Sequence, residues 1–406
     1  MNSETVALIL VINIGSSSIK FAVYRMDSME ADEGLILAGK LDQVGLDAGE
    51  LLVRDPQKNI VIQKSVELSS HQAALTVLLD WLESTRRLHL VRAVGHRVVY
   101  GGRELNKPHR VSPDLLETLK TFIPRDPDHL AHEIQAIEFI QRLHPKFVQV
   151  ACFDSAFHSG KPRVAQLYGL PQALSEQGIL RYGFHGLSYE YIVQELAGQA
   201  GEVDLPQKVV VAHLGSGASL AAIRNGKSMD TSMGFTATSG IPMSTRSGDI
   251  DPGVLLYLLQ EKHYSSSQVN ELLTKKSGLL GLSDLSSNMQ TLLDHEHDNT
   301  SAAEAIAVFC YQTKKYIGAY AASLGGLDML VFTGGIGENA SPIRRKVCEG
   351  LEFLGVRIND AANNSNAAVI SESNSPVTVQ VIRTNEELIV ARHTRDMLTG
   401  TTTIDK

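Results

Sequence analysis

The chain is poor in cysteine and tryptophan, and it has no surplus of basic residues. Its 406 residues include three cysteines and one tryptophan, and the formal net charge is -8. The cysteines, Cys152, Cys310 and Cys348, are widely spaced, which argues against a disulfide framework and favours a reducing, cytoplasmic compartment. The acidic balance gives no reason to expect nucleic acid as a partner.

Long hydrophobic runs and two familiar nucleotide signatures are also missing. The apolar run at residues 6–12 is too short to cross a bilayer and lacks a basic leader, so it predicts a buried strand and no membrane attachment. No Gly-Lys-Ser/Thr triplet opens a helix, which excludes a P-loop. The glycine spacing that starts at Gly334 does not match a dinucleotide fingerprint.

What the chain does contain is one pattern that occurs twice. Residues 8–24 and 209–223 each show a short apolar run, a turn of glycine and serine, and a second apolar run. Small residues in such a turn let backbone N–H groups and hydroxyls close around an anion. The repeat therefore predicts a phosphotransferase built from two related halves, with the two turns facing each other across a cleft.

The rest of the chain predicts an α/β protein. Because of its length, two domains are expected. Residues 230–253 are polar and glycine-rich without helical or strand periodicity, and long ordered loops of this kind are usually functional. Further strands are predicted at residues 35–38, 60–62, 91–102 and 147–153 and from residue 328, and helices at residues 72–88 and from residue 388.

Several charged residues in these segments are candidates for chemistry. Lys20 follows the first turn, where its ammonium would reach a phosphate. Arg97 lies in an apolar strand and needs an anionic partner, either a protein carboxylate, which is the commoner case, or a ligand. Arg246 lies on a Gly/Ser loop, where it either stabilises a transferring phosphoryl group or forms an ordinary surface ion pair. Asp154 and His185 are ambiguous when taken singly.

Ten ordered motifs carry a family resemblance over residues 6 to about 395. They include VINIGSSSIKF, VGHRVVYGG, FDSAFH, RYGFHGLSYEY, HLGSGASLAAI, TRSGDIDPG and FTGGIGEN. In this order they are similar to those of acetate kinases and their propionate-kinase relatives. The resemblance implies a two-domain, actin-like (ribonuclease H-like) duplicated fold with an interdomain cleft. It places one domain at residues 1–154 plus 387–406 and the nucleotide-binding domain at residues 155–386, and it implies a homodimer.

The resemblance also implies the activity and the roles of individual residues. The family transfers a phosphoryl group between ATP and a short-chain carboxylate such as acetate, giving an acyl phosphate and ADP. By this likeness Arg97 and Val99 bind the carboxylate substrate, and the catalytic residues are Asp154, His185 and Arg246. Mg²⁺, with Mn²⁺ as an alternative, would be held by Asn13 and Glu386. The nucleotide would be bound by Lys20, Ser16, Ser18, His213, Leu214, Gly215, Ser216, Gly217, Asn288, Met289, Gln290, Gly335, Ile336, Gly337, Glu338 and Asn339.

Four departures from the family pattern bear on specificity. Where relatives usually carry His-Asn-Pro after a leucine, this chain has Pro124, Arg125, Asp126 and Pro127. Ser216 replaces the asparagine of the second turn, and the charged pair of the adenosine site becomes Asn288 and Gln290. Ala237 replaces a proline that lines the acyl pocket, which would admit propionate or butyrate, although one methylene discriminates by only about 1–3 kcal/mol. These changes leave three alternatives open: a longer acyl chain, a different phosphoryl donor, or a weakened enzyme.

Two other classes of protein are alternatives to a kinase that phosphorylates carboxylates. A sugar kinase would use Asp154 as a base beside a substrate hydroxyl, but a neutral sugar leaves Arg97 without an anionic partner. A nucleotide-dependent clamp without acyl chemistry would have no need of Arg97, His185 and Arg246 together. The sequence therefore favours the acyl-phosphate-forming kinase.

Overall fold

The computed structural model describes residues 7–28, 34–46, 48–126, 129–200 and 206–400. Val6, at the start of the predicted first strand, and Pro127, one of the departures, lie outside these residues. The chain divides into two compact units. Unit 1 comprises Met1–Ala156 and Asn385–Lys406, and unit 2 comprises Phe157–Thr384. Glu386, assigned to the second domain from the sequence, lies in unit 1.

Within the described part of unit 1, eight strands form one sheet in the order β5-β4-β3-β2-β1-β6-β8-β7. The central strand β1 pairs antiparallel with β2 and parallel with β6. Short 3₁₀ turns follow α1 and α2. The elements are β1 (Leu8–Ile14), β2 (Ser18–Arg25), β3 (Leu35–Asp42), β4 (Gly49–Arg54), β5 (Ile60–Val66), α1 (His71–Ser84), β6 (Val91–Val98), β7 (His109–Arg110), α2 (Pro113–Phe122), α3 (Leu130–Leu143), β8 (Val148–Phe153) and α15 (Glu386–Thr399).

Unit 1 has its core on both faces of the central strands. β1 is an almost continuous apolar run, as expected for a strand covered on both sides. Helix α15 packs on β1, β6 and β8. At Gly95 of β6 an added Cβ would lie 2.7 Å from Cγ1 of Val390, so a glycine is required where the helix approaches the strand.

Within the described part of unit 2, five strands form the sheet β11-β10-β9-β12-β13. Helix α6 covers it through Tyr189, Ile192 and Leu196, which pack against β9 and β12. The elements are α4 (Arg163–Gln166), α5 (Gln172–Glu176), α6 (Gly186–Ala200), β9 (Lys208–Leu214), β10 (Ala218–Arg224), β11 (Lys227–Thr231), α7 (Pro252–Gln260), α8 (Ser266–Lys275), α9 (Gly278–Ser283), α10 (Met289–Asp294), α11 (Thr300–Leu324), β12 (Met329–Thr333), α12 (Gly334–Asn339), α13 (Ser341–Cys348), α14 (Asp360–Asn364) and β13 (Thr378–Val381).

The two sheets share one topology. The five strands β3-β2-β1-β6-β8 of unit 1 follow the same order and the same directions as β11-β10-β9-β12-β13 of unit 2. In each, a hairpin with a Gly/Ser turn supplies the central strand, which pairs in parallel with a later strand, β6 in unit 1 and β12 in unit 2. The duplicated α/β fold predicted from the repeated hairpin is confirmed.

Several predicted element boundaries differ from the observed ones, and three of the observed boundaries have a clear local cause. Helix α1 ends at Ser84 rather than at residue 88, because Arg86 adopts a left-handed φ of 55°. The strand predicted from residue 328 ends at Thr333, where Gly334 turns the chain into the short helix α12 with a φ of 77°. The final helix begins at Glu386 rather than at residue 388, because the Asn385 side chain caps it. No helix in the described ranges is long and apolar enough to span a membrane.

Candidate functional site

The first Gly/Ser turn closes the hairpin of β1 and β2 in unit 1. The Gly15 N–H donates to the Ser18 carbonyl at 2.8 Å, and Ser16 at the tip is exposed. Asn13 and Lys20 are direct cross-strand partners at the base of this turn. Their side chains therefore project from the same face of the hairpin.

Arg97 lies beside this hairpin, because β6 is the parallel neighbour of β1. Its Nε and Nη2 donate to Oδ2 of Asp154 at 3.0 and 2.5 Å. Its Nη1 donates to Oδ1 of Asn13 at 3.4 Å. The neighbouring carboxylates, Asp154 foremost, raise the pKa of Arg97 against the effect of burial, so its guanidinium is permanently charged. The Arg97 side chain keeps 14% of its surface exposed, whereas that of Asp154 is fully buried.

A further carboxyl group, that of Glu386, belongs to the same cluster. Enclosure by protein raises its pKa to about 7, with the Asp154 charge contributing, whereas Arg97 and Lys20 act to lower it. Asp154 Oδ1 is buried and has no hydrogen-bond partner within the described ranges. The cluster therefore contains more carboxylate oxygen atoms than Arg97 and Lys20 pair with. Carboxylate oxygens are suitable ligands for a hard divalent cation. No group of three or more His, Cys, Asp or Glu side chains in the described residues is arranged as a metal site, so phosphate and water oxygens would have to complete the coordination.

Glu133 of α3, which is 2% exposed, was not predicted as a site residue from the sequence. Its Oε2 accepts the Val99 N–H at 3.0 Å, and its Oε1 lies 3.6 Å from Arg97 Nη1. Burial raises its pKa to about 8, although Arg97 opposes that rise. An acidic residue within the apolar stripe of a helix was the available signal, because charged residues are seldom buried without a partner.

In unit 2 the second Gly/Ser turn, between β9 and β10, brings separate predicted residues together. A Cβ added to Gly217 would lie 3.1 Å from His185 Nε2 and 3.9 Å from Arg246 Nη1. One added to Gly215 would lie 3.8 Å from the backbone nitrogen of Gly335. Residues from three distant segments thus converge on the two glycines of this turn.

A hydrogen-bonded chain orients the imidazole of His185. His185 Nδ1 and Ser219 Oγ are 2.8 Å apart, and the Tyr189 hydroxyl lies 2.5 Å from the same Oγ. Burial raises the pKa of Tyr189, so the phenol keeps its proton. Ser219 engages Nδ1, and Nε2 is the ring nitrogen that faces Gly217. His185 itself has a left-handed φ of 59°, an uncommon conformation for a non-glycine residue.

His213 stacks on His185, with ring centroids 4.3 Å apart and planes inclined by 19°. Its Nδ1 lies 2.8 Å from Ser188 Oγ, which in turn donates to Thr384 Oγ1 at 2.8 Å. The predicted nucleotide residue Leu214 is fully buried, so only its backbone is available to a ligand.

The loop at residues 232–251 holds Arg246 without regular secondary structure. Its guanidinium Nη1 donates to the Ala237 carbonyl at 3.1 Å. Asp249 closes the loop by accepting the Gly240 N–H at 2.9 Å. At Gly278, with a φ of 62°, an added Cβ would lie 2.7 Å from the Arg246 carbonyl, so the start of α9 packs closely against this loop.

The other predicted nucleotide residues lie on two short helices. In α12, Gly335 and Asn339 are exposed, Ile336 and Glu338 are half-buried, and Gly337 is buried. Around α10, Asn288 caps the helix by accepting the Gln290 and Thr291 N–H groups. Gln290 is exposed, and Ser216 also remains accessible, whereas Met289 is 5% exposed and packs in the core.

Two buried bases, both missed in the sequence, support the segment that leads to His185. Lys161 Nζ donates to the Tyr182 carbonyl at 2.6 Å and to the Arg181 carbonyl at 3.2 Å. His158 Nε2 lies 3.0 Å from the Phe184 carbonyl. Burial lowers the pKa of Lys161 to about 7 and that of His158 to about 3. These contacts fix the carbonyl groups of residues 181, 182 and 184, which precede His185. They thereby stabilise the left-handed backbone conformation of His185.

A duplicated sheet with Gly/Ser turns, and an arginine and a histidine converging on one turn, define a phosphotransferase of the actin-like fold. Comparison with known proteins identifies the family within this class. The acetokinase family matches residues 8–392, and the chain belongs to that family.

The similarity to individual relatives covers nearly the whole chain. An acetate kinase of Rhodopseudomonas palustris is 46% identical over 95% of this chain and 97% of its own length. The crystal structure of a Francisella tularensis propionate kinase superposes with a TM-score of 0.89 at 35% identity, covering 96% of this chain and 99% of that one. The acetate kinase of Porphyromonas gingivalis has a TM-score of 0.85 at 35% identity, covering 97% and 100%.

Proposed function

We propose that this protein transfers the terminal phosphoryl group of ATP to acetate, forming acetyl phosphate and ADP reversibly. The observation that carries the proposal is the convergence of His185 and Arg246 on the Gly217 turn, in a chain of the acetokinase family. Both side chains are of types that donate hydrogen bonds. They meet at a glycine, where no side chain blocks the approach of a phosphate.

Arg97 recognises the carboxylate of acetate. Its charge is permanent, and its remaining exposed surface is where an anion would bind, with Val99 beside it. Acetate is already ionised at neutral pH, so no general base has to remove a proton from it. The role of Asp154 is therefore to orient Arg97 through its two hydrogen bonds.

His185 and Arg246 stabilise the negative charge of the phosphoryl group during transfer. In this proposal the imidazole carries its hydrogen on Nε2 and Ser219 engages Nδ1, while Arg246 is held by the Ala237 carbonyl. Fixed donors aimed at developing charge contribute without reorganising during the reaction. A well-placed arginine accounts for about 10³–10⁵ of the rate in comparable phosphoryl transfers.

The nucleotide binds chiefly in unit 2. The Gly215–Gly217 turn with His213 would contact the phosphates, and Lys20, Ser16 and Ser18 of unit 1 stay predicted nucleotide ligands. The exposed positions of α12, Gly335 and Asn339, would contact the nucleoside. The Asn288 side chain caps α10 by accepting the Gln290 N–H. It would therefore hold Gln290 in position in addition to contacting the nucleotide. Titration calorimetry with ATP and Mg²⁺ tests this assignment.

Asn13 and Glu386 are proposed to hold Mg²⁺, mostly through water. The buried, unpartnered oxygen of Asp154 and the raised pKa of Glu386 support a cation at this position. When bound, the ion supplies positive charge to the phosphate oxygens.

A homodimer is the proposed assembly. None of the nine residues of α7 is buried in the described chain, although the helix has the sequence PGVLLYLLQ. Leu256 and Tyr257 are 53% and 50% exposed. An apolar helix of this kind favours burial against a second copy. Light scattering should give a dimer for the wild type and a monomer for Leu256→Glu. A cytoplasmic location completes the proposal, supported by three buried cysteines that form no disulfide.

The choice of acceptor is the direct test of the proposed reaction. ADP release is followed with Mg²⁺ and ATP in the presence of acetate, propionate or a hexose. Acetate-dependent release supports the proposal, whereas release with the hexose alone would identify a sugar kinase. The matched variant Arg97→Ala should lose the response to acetate, because the carboxylate then has no cationic partner.

A further inference from the structure

Glu133 lies on the face of α3 that points into the core of unit 1. Leu130, Ile134 and Ile137 share that face, and each is buried. A carboxyl group at such a position costs free energy unless it has hydrogen-bonding or ionic partners. Its presence there calls for a specific use.

The partners of Glu133 are the two residues proposed to bind the carboxylate substrate. One oxygen accepts the Val99 N–H at 3.0 Å, and the other lies 3.6 Å from Arg97 Nη1. Asp154 holds the opposite edge of the same guanidinium through Nε and Nη2. Contacts on both edges fix the plane of an arginine side chain, which is rigid once two points are held.

We propose that Glu133 is a positioning residue for carboxylate recognition, holding Arg97 and Val99 in the arrangement that acetate meets. This inference rests on the proposed function. The role is indirect, since Glu133 acts through its two neighbours. Holding the binding group in place before the substrate arrives lowers the cost of ordering it.

The ionisation of Glu133 agrees with this role. Burial raises its pKa to about 8, and the charged groups acting on it are Arg97, Asp126 and Asp154. At neutral pH the carboxyl is therefore mostly protonated, and it leaves the Arg97 charge available to the substrate. Above pH 8 its negative charge would compete with acetate for Arg97.

The test compares Glu133→Leu and Glu133→Gln with the matched control Glu138→Gln. Glu138 lies on the same helix but is only half-buried and is paired with Lys120. Glu133→Leu removes both contacts, so the KM for acetate should rise about tenfold while kcat and the KM for ATP are unchanged. Glu133→Gln resembles the protonated acid, so at pH 7 its KM for acetate should stay close to that of the wild type. The control should match the wild type in all three constants.

The outcomes separate this inference from the proposed function. A wild type without acetate-dependent activity refutes the proposed function itself. An active wild type with an unchanged KM for acetate in Glu133→Leu, or with all constants altered alike, overturns the positioning role alone. If Glu133→Leu does not fold, the pH profile of Glu133→Gln decides. A KM for acetate that rises above pH 8 only in the wild type supports the proposal, and identical profiles overturn it.

Discussion

Arg97 directs both Nε and Nη2 to a single oxygen of Asp154, Oδ2. The other oxygen, Oδ1, has no hydrogen bond within the described part of the chain. This geometry engages one edge of the guanidinium and leaves Nη1 directed toward Asn13 and Glu133. Asp154 is therefore positioned to orient Arg97 rather than to act as a general base.

Replacing Arg97 by alanine tests whether this residue both stabilises the fold, through its ion pair with Asp154, and binds the substrate. The change leaves Asp154 buried without its cation, which should cost about 3–5 kcal/mol of unfolding free energy. The KM for acetate should rise at least about tenfold. Arg25→Ala is the control, because its pair with Asp27 is exposed and screened by solvent and should contribute little to stability. Equal effects of the two variants in denaturant unfolding and kinetics would contradict the assignment.

Replacing His185 by alanine should lower kcat by about 10²–10³-fold, because a donor aimed at the transferring group is lost. Ser219→Ala should have a smaller effect in the same direction, since Nδ1 would lose this hydrogen-bond partner and the imidazole would be less firmly oriented. His297→Ala, at an exposed position of unit 2, serves as the control. Steady-state kinetics with saturating acetate and ATP give the values. A His185 variant with unchanged kcat would remove this residue from the mechanism.

Gly217→Ala tests the close approach at the second turn. Its new Cβ would lie 3.1 Å from His185 Nε2, so the imidazole must shift and kcat should fall at least about tenfold. Gly198→Ala, within α6, meets nothing within 4 Å and should stabilise the protein by about 0.5–1 kcal/mol with normal activity. A Gly217 variant as active as the Gly198 variant would show that the turn does not position His185.

Acid should destabilise the protein through two buried histidines. Burial lowers the pKa of His96 to about 4 and that of His158 to about 3, from 6.5. Between these values and pH 6.5 the unfolded chain binds more protons, so stability falls as the pH falls through that window. Each histidine should contribute about 1.4 kcal/mol per pH unit. Unfolding curves from pH 7 to 5 measure the slope, which should be shallower in His158→Asn. An unchanged slope would mean that His158 does not titrate in this range.

The fold could be predicted because its signals are local. The repeated apolar run, Gly/Ser turn and second apolar run identify β1–β2 and β9–β10, and the two resulting sheets share one topology. The errors arose where one backbone angle or cap decides a boundary, as at Arg86, Gly334 and Asn385. Such features depend on single residues rather than on a periodic pattern.

The candidate site could be predicted only in part. Arg97 could be identified as a buried cation in need of an anion, but its partners Asp154 and Glu133 lie on other elements of the fold. Ser219 and Lys161 were missed because a small polar residue in a strand and a lysine in a loop carry no signal until their neighbours are known. Long-range pairing of this kind is set by packing.

Trapping the acyl phosphate with hydroxylamine tests the proposed reaction most directly. Purified protein is incubated with Mg²⁺, ATP, acetate and hydroxylamine, and the hydroxamate is measured for the wild type and for Arg246→Ala. The predicted result is robust hydroxamate with the wild type and a loss of about 10³-fold or more in the variant. No hydroxamate from the folded wild type, or equal amounts from both proteins, would contradict the account.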